Sequence, residues 1–583
     1  MKKNIYISAA IFSVLTANAQ EDPAKPIGTQ EVEVTSSYRP KVQDAFKIND
    51  NPLIEDQEVS EKRTVKYNIF SFPVESTFTP EKGEAATVDK DSVANYLNNY
   101  ALLGYGNYNT LLAELGVVES IGKNMYLGGL IKHRSSGGGI DNVPVDDKYS
   151  RSQLDILLGN KSDRSDWNIK FGTELSTYNW YGFPIDYIDL STVDFNALDV
   201  QQKYQNLNIG GNFNFYNGPI ENIETKYIYF WDQFDSKESR FYFKPKFNLE
   251  FPNQTVHVNL IADYVNTQFS DDRINNQDHH FSYFILAGEP SVKFLKDNYS
   301  VELGAGIGYI NGDVKGEKDN SVLVYPKIKA NIDLVPDIVL AYMGADGGVV
   351  QNSYHQFSID NPYISPDLEL MPTKVNFDIY AGLKGKLYHN ISYNIKGSYK
   401  SEDQKALFTT NVFNHSLASR EGYEYGNSYR VIYDQVKTFS GFGELTFDFE
   451  DVNIDLYGQY NAYSLDKSVV AYNLPEATFG LKAHVNITPK VFAGAHLYYV
   501  SQREDIVQEL SAANLLTNHE VLLESYADLN LNLGYKPNDY WTVFFKAHNI
   551  FNQDYKFVTN YQVQGFQLLA GLMYKFDLKK NNN

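Results

Sequence analysis

From about residue 96 to the C-terminus, apolar and polar residues alternate with a period of two. In WNIKFGTEL (167–175), Trp167, Ile169, Phe171 and Leu175 alternate with Asn168, Lys170 and Glu174. VHVNLIADY (256–264) places Val256, Val258, Leu260, Ala262 and Tyr264 on one face and His257, Asn259 and Asp263 on the other. The same pattern runs through VNFDIYAGLKGKL (375–387), VNIDLYGQYNAY (452–463) and ADLNLNLGY (527–535). Such alternation predicts β-strands with two unlike faces. A half-buried strand of a soluble sheet alternates in the same way, so the number of segments and their joins decide the reading.

The pattern gives 22 strands, with connections that alternate short and long. SIGKN, NKSDRSD, EFPNQ, LKDN, FEDVN, NITPK and KPNDY are short; 135–148, 179–203, 267–280, 350–372, 411–427, 502–520 and 549–563 are long. Long loops gathered at one end are the mark of an outer-membrane barrel. The predicted fold is therefore all-β, a transmembrane antiparallel β-barrel over 96–578 with a short tail, 579–583. The count takes 390–410 and 428–449 as single long strands; splitting them gives 24.

Composition sharpens the picture. The chain holds 45 Tyr and 36 Phe, yet its mean hydropathy is −0.40. Aromatic richness with hydrophilic balance fits a large barrel in which every second residue faces water. Trp167 and Trp541 follow short turns and Trp180 and Trp231 precede long loops, an arrangement that predicts two interfacial girdles. The last strand, FQLLAGLMYKF (566–576), is apolar on one face and ends on an aromatic, which in water would be an aggregation-prone edge. Residues 1–19 read as a signal peptide: a basic MKK, a short apolar run and Ala17-Asn18-Ala19 as the cleavage site. The chain has no cysteine, hence no disulfide framework, thiolate metal site or thiol nucleophile. A net charge of −21 argues against a nucleic-acid partner.

The closing segment carries a resemblance. FKAHNIFNQDYKFV (545–558), then GLMYKF, is similar to the final hairpin of TonB-dependent receptors, in which an N-x-F-N/D-x-x-Y motif precedes a terminal strand ending in Phe. Asn549, Phe551, Asn552, Tyr555 and Phe576 occupy those positions. Near the other end, Glu31, Val32, Glu33, Val34 and Thr35 resemble the TonB box, a short extended segment that adds a strand to a periplasmic partner. The resemblance implies an outer-membrane barrel embedded in lipid, a TonB-like periplasmic partner, and uptake of a solute. It breaks between Pro40 and the first strand. About 55 residues there, with Gly83 the only glycine and Pro52, Pro73 and Pro80 interrupting, are too few for the family's globular plug. Residues 20–95 are therefore expected to form an extended periplasmic or lumenal strip.

A barrel of about 22 strands has a lumen wide enough to need filling. Three elements are available to close it: the strip, the long loops folding inward, or a surface lipoprotein lid. The inner-wall candidates Lys170, Glu174, His257, Asp263, Asp378, Lys384, Asp455, Asp528 and Lys575 are polar and of mixed sign.

No hydrolase, P-loop or EF-hand signature is present, and no catalytic residues, metal site or cofactor are assigned. SDDRINNQDHH (270–280), with Asp271, Asp272, Asp278, His279 and His280, is the best metal candidate and reads better as a solvated acidic loop. The loops NWYGFPIDYIDLSTVDFNALDV (179–200) and NSYHQFSIDNPYISPDLELMP (352–372) combine aromatics with acids, as binding loops or as shields of the barrel mouth. EDIVQELSAANLL (504–516) predicts a short helix with Ile506, Leu510 and Ala513 on one face. Two non-enzymatic roles follow: a receptor-like barrel that binds or transports a solute across the outer membrane, or a subunit of a larger outer-membrane assembly with other outer-membrane proteins as partners.

Overall fold

The first strand, Asn99–Gly106, pairs antiparallel with the last, Gln567–Phe576, and this pairing closes a 22-stranded sheet into a barrel. The computed structural model describes residues 99–270, 279–336, 338–417 and 420–578. The expected signal peptide at 1–19, the expected strip at 20–95 with its TonB-box-like stretch at 31–35, the tail 579–583, and Asp271, Asp272 and Asp278 of the acidic loop lie outside the described residues.

Alternation sets the two faces of the wall. In Ser165–Asn179, Ile169, Phe171 and Leu175 point outward, while Asn168, Lys170 and Glu174 point inward. In Gln567–Phe576, Leu568, Leu572 and Tyr574 form the outer face and Leu569 and Met573 the inner. An apolar exterior around a closed sheet leaves no backbone edge unpaired, which is the condition for strands to cross lipid. Trp541 packs tilted against Tyr574 and Trp167 stacks on Phe213 at the short-turn end, as girdle residues do. Trp180 does not join them: it is 0% exposed, inside the loops.

Connections at the short end run from two to five residues, for example 252–253 and 536–540. Residues 391–410 and 429–448 are single long strands, which settles the count at 22. At the other end, three connections (107–110, 233–236 and 315–316) are equally short. There the strands themselves run on: Tyr299–Val314 and Glu317–Val335 pair up to a two-residue tip, with Lys315 at φ 52.

The helix expected at 504–516 is instead a hairpin of Arg503–Leu510 and Leu516–Leu523. Ile506, Leu510 and Ala513 do fall at helical spacing, but Val507 is buried and pairs with His519, and Asn514 at φ 59 makes the turn. Glu509 and Leu510 gain a further parallel partner in Phe413 and Asn414. Backbone partners from another loop outweighed a weak local preference. The described residues place a helix instead at Tyr354–Asp360, where Ser353 Oγ caps Gln356 N at 3.1 Å.

Candidate functional site

The long loops fold inward and bury their aromatics against one another. The resulting cluster draws Trp180, Tyr181 and Phe183 from the loop after Ser165–Asn179, Tyr354, Phe357 and Tyr363 from 351–372, Phe413 and Tyr423 from 411–428, Val507 and Val521 from the hairpin, and Tyr561 from 549–566. It packs on inward side chains of the upper wall: Tyr204, Ile228, Phe230, Phe269 and Phe281.

Three of these loops follow the fifth, thirteenth and twenty-first strands, so they leave the rim eight, eight and six strands apart around the circle. Their tyrosines meet. Tyr363 stacks on Tyr561 at 3.7 Å between ring centres, and Tyr181 lies edge-on to Tyr561 at 4.8 Å and to Tyr363 at 5.6 Å. Trp180 Nε1 donates to Tyr363 O at 3.1 Å, Asn427 Nδ2 donates to Trp180 O at 2.8 Å, and the Tyr561 hydroxyl donates to Asn427 O. Loops from around the rim thus bridge the mouth and close on one hub. Buried aromatic pairs of this kind add about 0.5–1.5 kcal/mol each beyond the area they bury.

Three polar anchors fix this cap to the barrel. Glu238 accepts from Tyr354 N at 2.6 Å, His355 N at 3.2 Å and Thr267 Oγ1 at 2.8 Å, while the Tyr354 hydroxyl donates to Asp232 at 2.6 Å. Loop 351–372, which leaves the thirteenth strand, therefore reaches five strands across the mouth to Glu238 and six to Asp232. Asp505, buried in the hairpin, accepts from Thr409 at 3.0 Å, Asn473 at 2.7 Å and Thr559, which ties three loops together. Burial pushes the Asp505 carboxyl up from its ordinary value, against the pull of those donors. The third anchor is Asp528 of the wall, whose Oδ2 accepts from Tyr498 and Tyr555, each at 2.8 Å. His355, facing Glu174, Lys226, Arg240 and Arg151, has its pKa pushed down by burial to about 4.

The sequence motif at the C-terminus falls into this framework. Asn549 and Asn552 adopt φ 47 and 49, the left-handed region that asparagine tolerates. Asn549 Nδ2 donates to Gln553 O at 2.9 Å and Gln564 O at 3.0 Å, holding both ends of the loop, and Asn552 Oδ1 accepts from Phe566 N at 2.6 Å. Tyr555 fastens the loop to Asp528; Phe551 is exposed, and Phe576 pairs opposite Asn99 at the closure. The motif shapes the loop that delivers Tyr561 to the hub. The box residues Glu31, Val32, Glu33, Val34 and Thr35 lie outside the described residues.

Below the cap the inner wall carries ion pairs. Arg151 meets Glu174 at 2.8 Å, Arg240 meets Asp263 at 2.7 Å, Lys327 meets Asp346 at 2.7 Å, and Glu402 lies between Lys400 at 2.9 Å and Lys405 at 2.6 Å. Glu174 and Asp263 are two of the residues that alternation assigned to the lumen. Among the described residues no group of three His, Asp or Glu is placed to hold a metal ion. Sequence alone did not single out Asn427, Glu238 or Asp505, and it assigned Trp180 to the membrane interface rather than to the cap. The signal available was the aromatic density of loops 179–200 and 352–372, and it reads equally as a binding surface.

No protein-family model matches the chain, and no curated protein matches it. Solved structures do. The ferripyoverdine receptor of the outer membrane of Pseudomonas aeruginosa aligns at a TM-score of 0.59 with 12% identity, over 83% of this chain and 72% of that one. The ferric-catecholate import receptor Fiu of E. coli K12 aligns at 0.59 with 10% identity over 82% of each chain. The FrpB iron transporter of Neisseria meningitidis aligns at 0.60 with 11% identity, over 83% of this chain and 82% of that one. The barrel has the fold of TonB-dependent receptors.

Proposed function

We propose that this chain is an outer-membrane receptor-like barrel that binds a solute at its outer loops and admits it through the lumen, energised from the periplasm. The observation that carries the reading is a polar, ion-paired inner wall beneath a mouth closed by folded loops: a path with a gate. The fold shared with solved iron receptors supports the same class, without identifying the cargo. In this reading Glu31–Thr35 recruit a TonB-like partner by strand addition. Residues 20–95 serve as an extended strip in place of a globular plug, and lipid surrounds the outward face of the barrel wall. A surface lipoprotein over the loops is compatible with the same architecture.

The test is affinity purification of the full chain in mild detergent, with and without proline at Val32 and Val34. Proline removes the backbone donors that strand addition needs. Transport predicts capture of a TonB-like protein that is lost in the double variant. Stable, stoichiometric capture of other outer-membrane proteins, indifferent to the substitutions, would overturn it in favour of a subunit of a larger assembly.

A further inference from the structure

The hairpin of Arg503–Leu510 and Leu516–Leu523 belongs to a three-stranded sheet in the cap. Phe413–Asn414 pairs along one side of Arg503–Leu510, and Leu516–Leu523 pairs along the other. Among the described residues no strand lies beyond Leu516–Leu523, so its far side is a sheet edge.

The ladder shows which backbone groups that edge presents. Ser511 N donates to Leu515 O at 3.0 Å, and His415 N donates to Leu510 O at 2.9 Å. Leu510 therefore turns its carbonyl away from Leu516, opposite which it stands, and the two form a non-hydrogen-bonded pair. Bonded and non-bonded pairs alternate along an antiparallel ladder. This ladder runs on to Arg503 opposite Leu523 without a shift of register. Leu516, Asn518, Glu520 and Leu522 hence aim their N–H and C=O groups outward, where no described backbone meets them.

Proteins blunt exposed edges with proline, lysine or a bulge. LTNHEVLL (516–523) has none of these, and Leu516 and Leu522 are 49% and 58% exposed. The edge is left fit for pairing.

Charge chooses the occupant. Glu504, Glu520 and Glu524 are exposed around the edge, and Glu509 is half-buried. Arg503, the one lysine or arginine in 503–524, is buried, and its guanidinium donates to the carbonyls of Lys556 and Phe557. A second copy would set two acidic edges against each other, and facing like charges destabilise a strand pair. We propose that Leu516–Leu523 is a docking edge for an extended, basic segment of a partner protein at the cell surface, bound by strand addition. Main-chain hydrogen bonds supply the affinity, and the carboxylates beside them select lysine or arginine. The interaction goes beyond solute transport and is independent of what passes the lumen.

Fluorescence anisotropy on the detergent-purified full chain tests it with three labelled peptides. The first is basic and alternates valine with lysine and threonine. The second carries glutamate in place of lysine. The third is the basic peptide N-methylated at two neighbouring central nitrogens, which blocks both edges of a strand. The basic peptide is expected to bind, and the acidic and methylated ones are not. On the protein, Asn518→Pro deletes one outward N–H and spares the ladder to Arg503–Leu510, since edges tolerate proline at such positions. Affinity for the basic peptide should fall about tenfold, equivalent to about 1.4 kcal/mol. Retained protease resistance of 503–523 establishes that the hairpin of the variant is folded; if it is not, the methylated peptide decides. No binding of the basic peptide, equal binding of either other peptide, or unchanged affinity in a folded Asn518→Pro variant overturns the proposal. A dimer that Asn518→Pro dissolves would give the edge to a second copy and overturn it equally.

Discussion

The cap and the wall beneath it border the same lumen and are held together by opposite means. The cap is cohesive through buried rings, with Trp180, Tyr181, Tyr363 and Tyr561 from three loops packed together. The wall takes its cohesion from backbone pairing and turns ion pairs such as Arg240–Asp263 toward the interior. A ladder of hydrogen bonds is indifferent to which side chains it carries, so the wall is free to be polar. Apart from short pairings such as the 503–523 hairpin, the loops have no ladder and must form a core of their own. The two regions should consequently fail separately, and four experiments probe that separation.

The largest effect is expected at the hub. Replacing Tyr561 with Ala removes a fully buried ring, a change that costs about 3–5 kcal/mol in well-packed cores. The double variant Tyr363→Ala/Tyr561→Ala should open 549–566 and 351–372 to protease while the barrel keeps its heat-modifiable migration. Loss of that migration would mean that cap and wall form one cooperative unit. Next is the anchor at Glu238. Glu238→Ala removes a charged acceptor of three hydrogen bonds, each worth about 1.5–3 kcal/mol. Hydrogen exchange at 354–360 should rise at least tenfold, with 526–535 unchanged.

A smaller effect is expected from acid. His355 has its pKa lowered from 6.5 to about 4 by burial, so the docked helix favours the neutral ring. Its contribution is complete above pH 6.5 and fades as pH falls toward 4, because only the released form takes up the proton in that window. Exchange at 354–360 should therefore quicken between pH 7 and pH 5, and His355→Gln should remove that part of the dependence. The smallest effect is expected at the loop surface, where Lys556 meets Asp186 at 2.9 Å in solvent. Lys556→Ala should leave melting and protease resistance within experimental scatter, as exposed pairs usually do.

The wall was legible in the sequence because a period of two is local information. Each segment such as WNIKFGTEL declares its own faces, and short turns such as FPN and KDN mark one end. The cap was not legible, because its contacts join residues hundreds of positions apart. Nothing near Tyr561 announces that it will stack on Tyr363. Trp180 looked like an interfacial residue because its place at a strand end is the same in both settings, and the inward fold of its loop is what buries it. The hairpin at 503–523 misled for a similar reason: its strands are stabilised by pairing with each other and with Phe413 and Asn414, partners invisible to a helical wheel. The closing motif 549–555 was recognisable, yet its work as a loop brace emerged only with the hydrogen bonds of Asn549.

The near-even placing of three loops around the rim has a consequence for how this surface can change over time. An arch stands only while every voussoir reaches the crown, so the spans from the rim to Tyr181, Tyr363 and Tyr561 are mutually constrained in length. Insertions on those spans would unseat the crown unless the other two adjusted together. Insertions are expected to collect elsewhere, at tips such as 315–316 and on the outward side of 511–516, where added residues lengthen the ornament and leave the vault standing.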